Sequence, residues 1–196
     1  NLSDIQNQNS YSFANSDIRD RTEINEIFSS FRPNCIFHLA AETHVDRSID
    51  GPDEFIQTNV VGTSVLIEEA DRWRNSLNAE ERDTFRFVHI STDEVYGSLD
   101  SGSAKPFVET SPLNPNSPYA ASKAAADHLV RAWFKTYGLP TITVNCTNNY
   151  GPYQFPEKLI PMIILAALEG KSIPIYGQGE NLREWIFVED FAEVIF

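Results

Sequence analysis

The residues with the most chemistry to offer lie at the end of one apolar run. Phe85-Arg86-Phe87-Val88-His89-Ile90 reads as a buried strand, and Ser91-Thr92-Asp93-Glu94 follows at once with hydroxyls and two carboxylates. In an open parallel sheet, ligands sit outside the carboxyl ends of the strands, so Thr92, Asp93 and Glu94 are expected to face a crevice. Adjacent carboxylates there can take separate acid and base roles where their surroundings part their pKa values. The plainer alternative is a solvated turn between strand and loop.

Downstream, Tyr119-Ala120-Ala121-Ser122-Lys123 opens an Ala-rich helical stretch, and positions 119 and 123 share one face. A free phenol titrates near ~10, too high for a base at neutral pH. A neighbouring ammonium stabilises the phenolate and lowers that value. The Thr92 hydroxyl could then bond the phenolate or a substrate oxygen. Such a set suits alcohol oxidation, with Tyr119 taking the hydroxyl proton while hydride leaves the carbon. Taken alone, the Tyr-x-x-x-Lys spacing equally describes a surface pair on an amphipathic helix. Its weight comes from following the Ser-Thr-Asp-Glu strand end by a single crossover.

The elements that must position these groups alternate between strand and helix. Tyr11-Ser12-Phe13-Ala14 alternates like a strand, and Thr22 to Phe31 has apolar residues at helical spacing with Pro33 as a stop. Cys35 to Ala41 is a continuous apolar strand ending in small residues, which let a ligand come close to the backbone. Pro52 opens a long helix to about Trp73, and 75–84 reads as a charged surface loop. Ser98 to Pro118 is a long loop, a type that is often functional. Tyr119 to Tyr137 is a helix stopped by Gly138, Thr141 to Cys146 a strand, and Asn148 to Pro152 a break in the pattern. Leu159 to Leu168 forms a helix, Ile173 to Gly177 a short strand and turn, and Trp185 to Val188 a last strand. The order predicts an α/β fold, a doubly wound parallel sheet with helices on both faces.

Composition narrows the function classes. With 196 residues, the chain can bury one good core, or one domain and part of another. A net charge of −13 argues against nucleic acid as a partner, since phosphate backbones attract basic faces. No apolar run reaches the ~18 residues of a membrane span. Cys35 and Cys146 sit in strand-like runs with no ligand-spaced cluster, so no metal is expected and both read as reduced residues of a cytoplasmic protein.

Several stretches together carry a family resemblance: His38-Leu39-Ala40-Ala41-Glu42-Thr43-His44-Val45-Asp46, Thr58-Asn59-Val60-Val61-Gly62-Thr63, Ser91 to Gly97, Tyr119 to Lys123, Asn148 to Pro152, Pro156 to Pro161 and Pro174 to Gly177. From about Ser12 to Phe196 the chain resembles the extended short-chain dehydrogenase/reductase family, and within it the dTDP-glucose 4,6-dehydratase branch. The Thr-Asp-Glu triplet is the most specific part.

That resemblance implies a reaction and a role for each matched residue. Tyr119, supported by Lys123, removes the C4 hydroxyl proton of a nucleotide sugar while hydride passes to NAD. Glu94 takes the C5 proton, Asp93 protonates the departing C6 hydroxyl, and the hydride returns to C6. Asp93 is expected protonated and Glu94 ionised at neutral pH. Asp17 and Ile18 match positions that flank the adenine; Leu39, Ala40 and Ala41 line the pyrophosphate and ribose side; Thr58 and Asn149 are further cofactor contacts. Thr43, Thr92, Asn148, Lys158, Leu159, Ile160, Pro161, Met162, Ile163, Pro174, Ile175, Tyr176 and Arg183 match the substrate side. Lys158 and Arg183 suit diphosphate oxygens. Thr58 also fits a helix-surface hydroxyl, and Pro174 and Tyr176 a packed edge strand. His38 reads as a core-strand residue.

By the same likeness, the chain divides into an NAD-binding domain, 1–150, and the beginning of a nucleotide-sugar domain, 151–196. A homodimer is expected through Pro52–Trp73 and Tyr119–Tyr137. By that likeness, the Gly-rich turn that binds pyrophosphate in this family is expected before the first residue. The 196 residues by themselves are therefore expected to bind NAD poorly and to turn over little. A UDP-sugar dehydratase, an epimerase or decarboxylase on the same scaffold, and a non-catalytic NAD-binding remnant are the rival readings.

Overall fold

A computed structural model describes residues 2–99, 105–173, 175, 179 and 182–196. Its contacts divide the chain into two compact units. One comprises Ser12–Ser98 and Phe107–Cys146; the other comprises Asn1–Tyr11, Leu99–Pro106 and Thr147–Phe196.

The first unit is built on a parallel sheet of β1 (Cys35–His38), β2 (Arg86–Thr92) and β3 (Thr141–Cys146), in that order. The register pairs Cys35 with Arg86 and Phe87 with Thr141, and runs on to Thr92 opposite Cys146. The helices of this unit are α1 (Arg21–Phe31), α2 (Val45–Asp50), α3 (Pro52–Phe55), α4 (Thr63–Ser76), α5 (Ala79–Thr84) and α6 (Pro118–Tyr137). Ile24 and Phe28 of α1, Leu66, Ile67 and Ala70 of α4, Val130 of α6 and Phe87 of β2 bury one apolar cluster with Leu77, Phe85 and Leu139. Each large apolar side chain removed from water contributes about 1.5–3 kcal/mol. Glu69, 1% exposed, is tied to Arg21 of α1 and Arg72 of its own helix, both at 2.5 Å. That pairing lets a carboxylate sit where α4 meets α1.

The expected α/β order and parallel pairing are present, with local differences. Tyr11 to Ala14 joins no strand among the described residues, because an alternating pattern becomes a strand only where a neighbouring edge supplies its ladder. β1 stops at His38, short of Ala41. The stretch 75–84 contains α5, started by a reciprocal cap in which Asn78 accepts from Glu81 N and the Glu81 carboxylate accepts from Asn78 N. The helix that begins at Pro52 carries a π-helical insertion, Ile56–Gly62, between α3 and α4. No compositional signal marks such a bulge; π-bulges are frequent at functional sites.

In the second unit, β4 (Asn148–Tyr150) pairs in parallel with β5 (Trp185–Phe187). Asn148 to Pro152, expected as a break, thus begins with three strand residues. Helix α7 (Leu159–Leu168) and helix α8 (Val188–Ile195) complete it. Gly151, at φ 155°, is a close approach: a Cβ there would lie 2.5 Å from Val188 Cγ1. The strand and turn expected over 173–177 fall partly outside the described residues.

Candidate active site

Two elements of the first unit bring Thr92, Asp93, Glu94 and Tyr119 together. β2 ends in extended backbone at Thr92, whose hydroxyl accepts from Glu94 N at 3.3 Å and so caps the short 3-10 turn Asp93–Tyr96. That turn ends at Gly97, φ 98°, against the Asn114 carbonyl: a Cβ would come within 2.6 Å of that oxygen. Asp93 and Glu94 are thereby fixed one after the other at the carboxyl end of the strand. Across from them α6 starts at Ser117, whose side chain accepts from Ala120 N at 3.1 Å, with Pro118 in the first turn. Such a cap contributes about 1 kcal/mol, and it sets where Tyr119 emerges.

Tyr119 is 8% exposed, with Phe55 edge-on to its ring at 6.4 Å. Its phenol lies near the Thr92 side chain, whose hydroxyl donates to Asp93 Oδ1 at 3.3 Å, and feels the charges of Glu94 and Asp93. Burial first, then those carboxylates, push the phenol well above its ordinary value; the Thr92 side chain pulls the other way. This revises the expectation that Lys123 lowers it. The Lys123 ammonium, 4% exposed, donates instead to the Ile90 carbonyl at 2.7 Å. Burial draws Lys123 down to about 8.

Behind this pair lies a polar layer that carried no functional expectation from the sequence. Asp127, one helical turn beyond Lys123, accepts from Asn145 Nδ2 at 3.1 Å and lies 3.2 Å from His89 Nε2. Asn145 reaches the Thr92 carbonyl at 3.4 Å and accepts from the Tyr96 hydroxyl at 3.3 Å. His89, fully buried, stacks at 5.2 Å on His38, whose Nε2 lies 2.8 Å from Thr63 Oγ1. The i, i+4 spacing of Lys123 and Asp127 was the one available signal.

The loop after β1 is held from the π-helical insertion. Asn59, 1% exposed, accepts from Glu42 N at 2.8 Å and donates to Glu42 O at 3.0 Å and to Ser122 Oγ at 2.8 Å. Leu39 and Ala40 stand exposed beside it and Ala41 is half-buried, while Thr58 next to Asn59 is half-buried and Thr43 exposed. Asp17 is exposed and paired with Arg19 at 2.7 Å; Ile18 is half-buried against Gly62.

The remaining sequence candidates gather in the second unit. Asn148 and Asn149 lie on β4, and Asn149 Nδ2 donates to the Thr147 carbonyl at 3.2 Å. Lys158 stands at the start of α7, whose first turns hold Leu159, Ile160, Pro161, Met162 and Ile163. Ile175 and Arg183 are exposed; Pro174 and Tyr176 lie outside the described residues. Among the described residues, no cluster of His, Cys, Asp and Glu could hold a metal ion, and no helix is long and apolar enough to cross a membrane.

Comparison with known proteins matches residues 1–196 to the family described as GDP-mannose 4,6 dehydratase. The chain is 55% identical to a dTDP-glucose 4,6-dehydratase of Salmonella typhimurium over 201 residues, covering 99% of this chain and 56% of that protein. It is 55% identical to one of Neisseria meningitidis, covering 100% and 55%. Among solved structures, dTDP-glucose 4,6-dehydratase DesIV of Streptomyces venezuelae, with NAD and TYD bound, superposes at TM-score 0.88 and 45% identity over 99% of this chain and 56% of that one. UDP-glucose 4-epimerase of Thermotoga maritima, with UDP-glucose, gives 0.81 and 29% over 92% and 56%. The chain thus spans about half the length of the relatives it matches.

Proposed function

The chain belongs to the GDP-mannose 4,6 dehydratase family of extended short-chain dehydrogenases/reductases, and from that premise we propose that its residues carry the proton-transfer machinery of a dTDP-glucose 4,6-dehydratase. The observation that carries the reading is the convergence on one phenol: Thr92, Glu94 and Asp93 all lie close enough to Tyr119 to bias its charge. Epimerisation at C4 needs no second acid and base. Dehydration does, because one proton must leave C5 and another must reach the departing C6 oxygen.

The residues present fit NAD. Exposed Leu39 and Ala40 and half-buried Ala41, following β1 at the carboxyl edge of the sheet, offer an apolar, small-sided floor, and Lys123 gives one N–H to Ile90 O with an ammonium's other donors to spare. When bound, NAD supplies the hydride acceptor and later the donor. Leu39, Ala40, Ala41, Thr58 and Ile18 would hold it.

Tyr119 must first give up its own proton, which burial and the neighbouring carboxylates oppose and a cation at the site would favour; as the phenolate it would then receive the C4 hydroxyl proton, with Thr92 beside its oxygen. Lys123, four residues on along α6, is the cation proposed for that part. Glu94 takes the proton from C5, which the C4 ketone has acidified, and Asp93 delivers one to the C6 oxygen as the C–O bond breaks. Water leaves, and the sugar becomes a 4-keto-6-deoxy product. Lys158 and Arg183 are proposed to bind the diphosphate.

Exposed Ile56, Val61, Phe134 and Tyr137 lie on the two helical stretches expected to pair, which supports a homodimer. Both cysteines are free thiols, as suits the reducing cytoplasm.

The test is turnover by the full-length protein. dTDP-glucose with NAD is expected to give a 4-keto-6-deoxy sugar, seen by its absorbance in alkali, and C5 is expected to take up solvent deuterium. Equal turnover of UDP-glucose would move the assignment to a UDP-sugar dehydratase. C4 inversion without loss of water would move it to an epimerase.

A further inference from the structure

Lys123 is buried, yet its one short hydrogen bond goes to a neutral carbonyl, Ile90 O. A buried ammonium needs a counter-charge, or it sheds its proton. The first unit supplies one on the same helix: Asp127, one turn on and 9% exposed. Its carboxylate is the leading influence that raises Lys123 against burial. The same carboxylate is anchored on the sheet by Asn145 Nδ2 at 3.1 Å, and its other oxygen lies 3.2 Å from His89 Nε2. Asn145 in turn holds the Thr92 carbonyl and the Tyr96 hydroxyl. One side chain therefore serves both halves of the site: the charge of Lys123 on α6 and, through Asn145, the backbone of Thr92 on β2.

We propose that Asp127 is a positioning residue of the proton-transfer site, keeping the Lys123 ammonium charged and, through Asn145, fixing the strand end that presents Thr92, Asp93 and Glu94. This rests on the dehydratase reading for its catalytic consequence, but its charge role stands apart from any substrate. Asp127 never meets the sugar; it acts through Lys123 and Asn145. The groups around the pair are Tyr119 on α6, His89 on β2 with His38 behind it on β1, Cys146 and Asn145 on β3, and Tyr96 in the 3-10 turn. His89 is held below its ordinary range by burial, against the pull of Asp127, so it adds no positive charge beside Lys123.

The test is the titration of Lys123 in full-length protein labelled with 15N-lysine, its signal assigned by loss in Lys123→Met. The wild-type ammonium is expected to titrate near 8. Asp127→Asn is expected to lower that midpoint by about one unit or more, the usual effect of removing an adjacent opposite charge. Asp127→Glu should restore most of it. In turnover assays, the fall in kcat on the alkaline side should move down by the same interval while KM stays put. An unchanged Lys123 midpoint in Asp127→Asn overturns the proposal. If Asp127→Asn fails to fold, the pair Lys123→Met with Asp127→Asn decides: a folded double variant supports the counter-charge, and a second failure overturns it, leaving only strand anchoring. The titration uses no nucleotide sugar, so an inactive wild type would sink the dehydratase reading while a fallen Lys123 midpoint still supports the pairing.

Discussion

The side-chain amide of Asn59 pairs with the backbone of Glu42 in both directions, accepting from its N–H at 2.8 Å and donating to its carbonyl at 3.0 Å. A helix interior is a poor place for asparagine, which competes with its own backbone. Here the π-helical insertion turns Asn59 inward, and the loop after β1 is bonded to it as if to a strand. Asn59→Ala is expected to cost about 2 kcal/mol, because both Glu42 groups lose a partner in a half-buried place. Urea unfolding measures that loss. In full-length protein the same variant should weaken NAD more than it weakens the fold, since Leu39 to Ala41 belong to the loop that is set free. Equal NAD affinity in both proteins would remove this loop from the cofactor site.

On the proposed mechanism, Glu94→Gln should separate the first chemical step from the second. Glu94 N is held by the Thr92 hydroxyl, so the amide variant keeps the 3-10 turn and changes only the acid–base character of the side chain. C4 oxidation should persist, seen as transient NADH absorbance on mixing with dTDP-glucose. Exchange of the C5 proton with solvent deuterium should fall by at least about 100-fold, the usual contribution of a positioned base. Exchange at the wild-type rate would reassign the base.

How much of the site was legible from residue types differs by element. The Thr92-Asp93-Glu94 turn and the Tyr119–Lys123 pair could be read because a strand and a helix impose fixed periods on their side chains. The π-helical insertion could not, because it arises together with a tertiary bond between Asn59 and a loop seventeen residues away. Asp127, Asn145 and His89 escaped for a similar reason. Each is ordinary in its own element, and the network exists only once β2, β3 and α6 are side by side. The direction of the Tyr119 pKa also depended on geometry: spacing brings Lys123 near, but its ammonium turns to Ile90.

Acid should unfold this protein through its buried histidines. His38 is 2% exposed and burial, more than the neighbouring His89 and Lys123, lowers it to about 3 from an ordinary 6.5. Above pH 6.5 the ring is neutral in both folded and unfolded chains, so it adds no pH dependence there. Between 6.5 and 3 the unfolded chain takes up a proton that the folded one refuses, and stability falls with pH. At pH 5 this amounts to about 2 kcal/mol from His38, and His89, shifted the same way, adds to it. Urea midpoints at pH 7 and pH 5 measure the drop. His38→Gln, which cannot ionise, should show a smaller drop than the wild type; an equal one would mean that another group carries the acid transition.

Gly62 closes the π-helical insertion directly under Ile18. A Cβ there would come within 2.6 Å of Ile18 Cδ1 and 2.7 Å of Cγ1, with Arg19 Cγ at 3.5 Å. The backbone at Gly62 is helical, φ −60°, so alanine suits it and brings about 0.8–1 kcal/mol of helix propensity. Against that gain stands the displacement of Ile18, which must shift to clear both Cδ1 and Cγ1. The two effects should nearly cancel, leaving Gly62→Ala within about 1 kcal/mol of the wild type in urea unfolding. NAD affinity should respond differently. If Ile18 forms one wall of the adenine pocket, moving it weakens binding several-fold while the fold stays whole. Adding Ile18→Val, which removes the Cδ1 methyl but keeps a γ carbon where the second clash falls, should return part of that affinity. Unchanged NAD binding in Gly62→Ala would take Ile18 out of the adenine wall and leave it as packing for the helix.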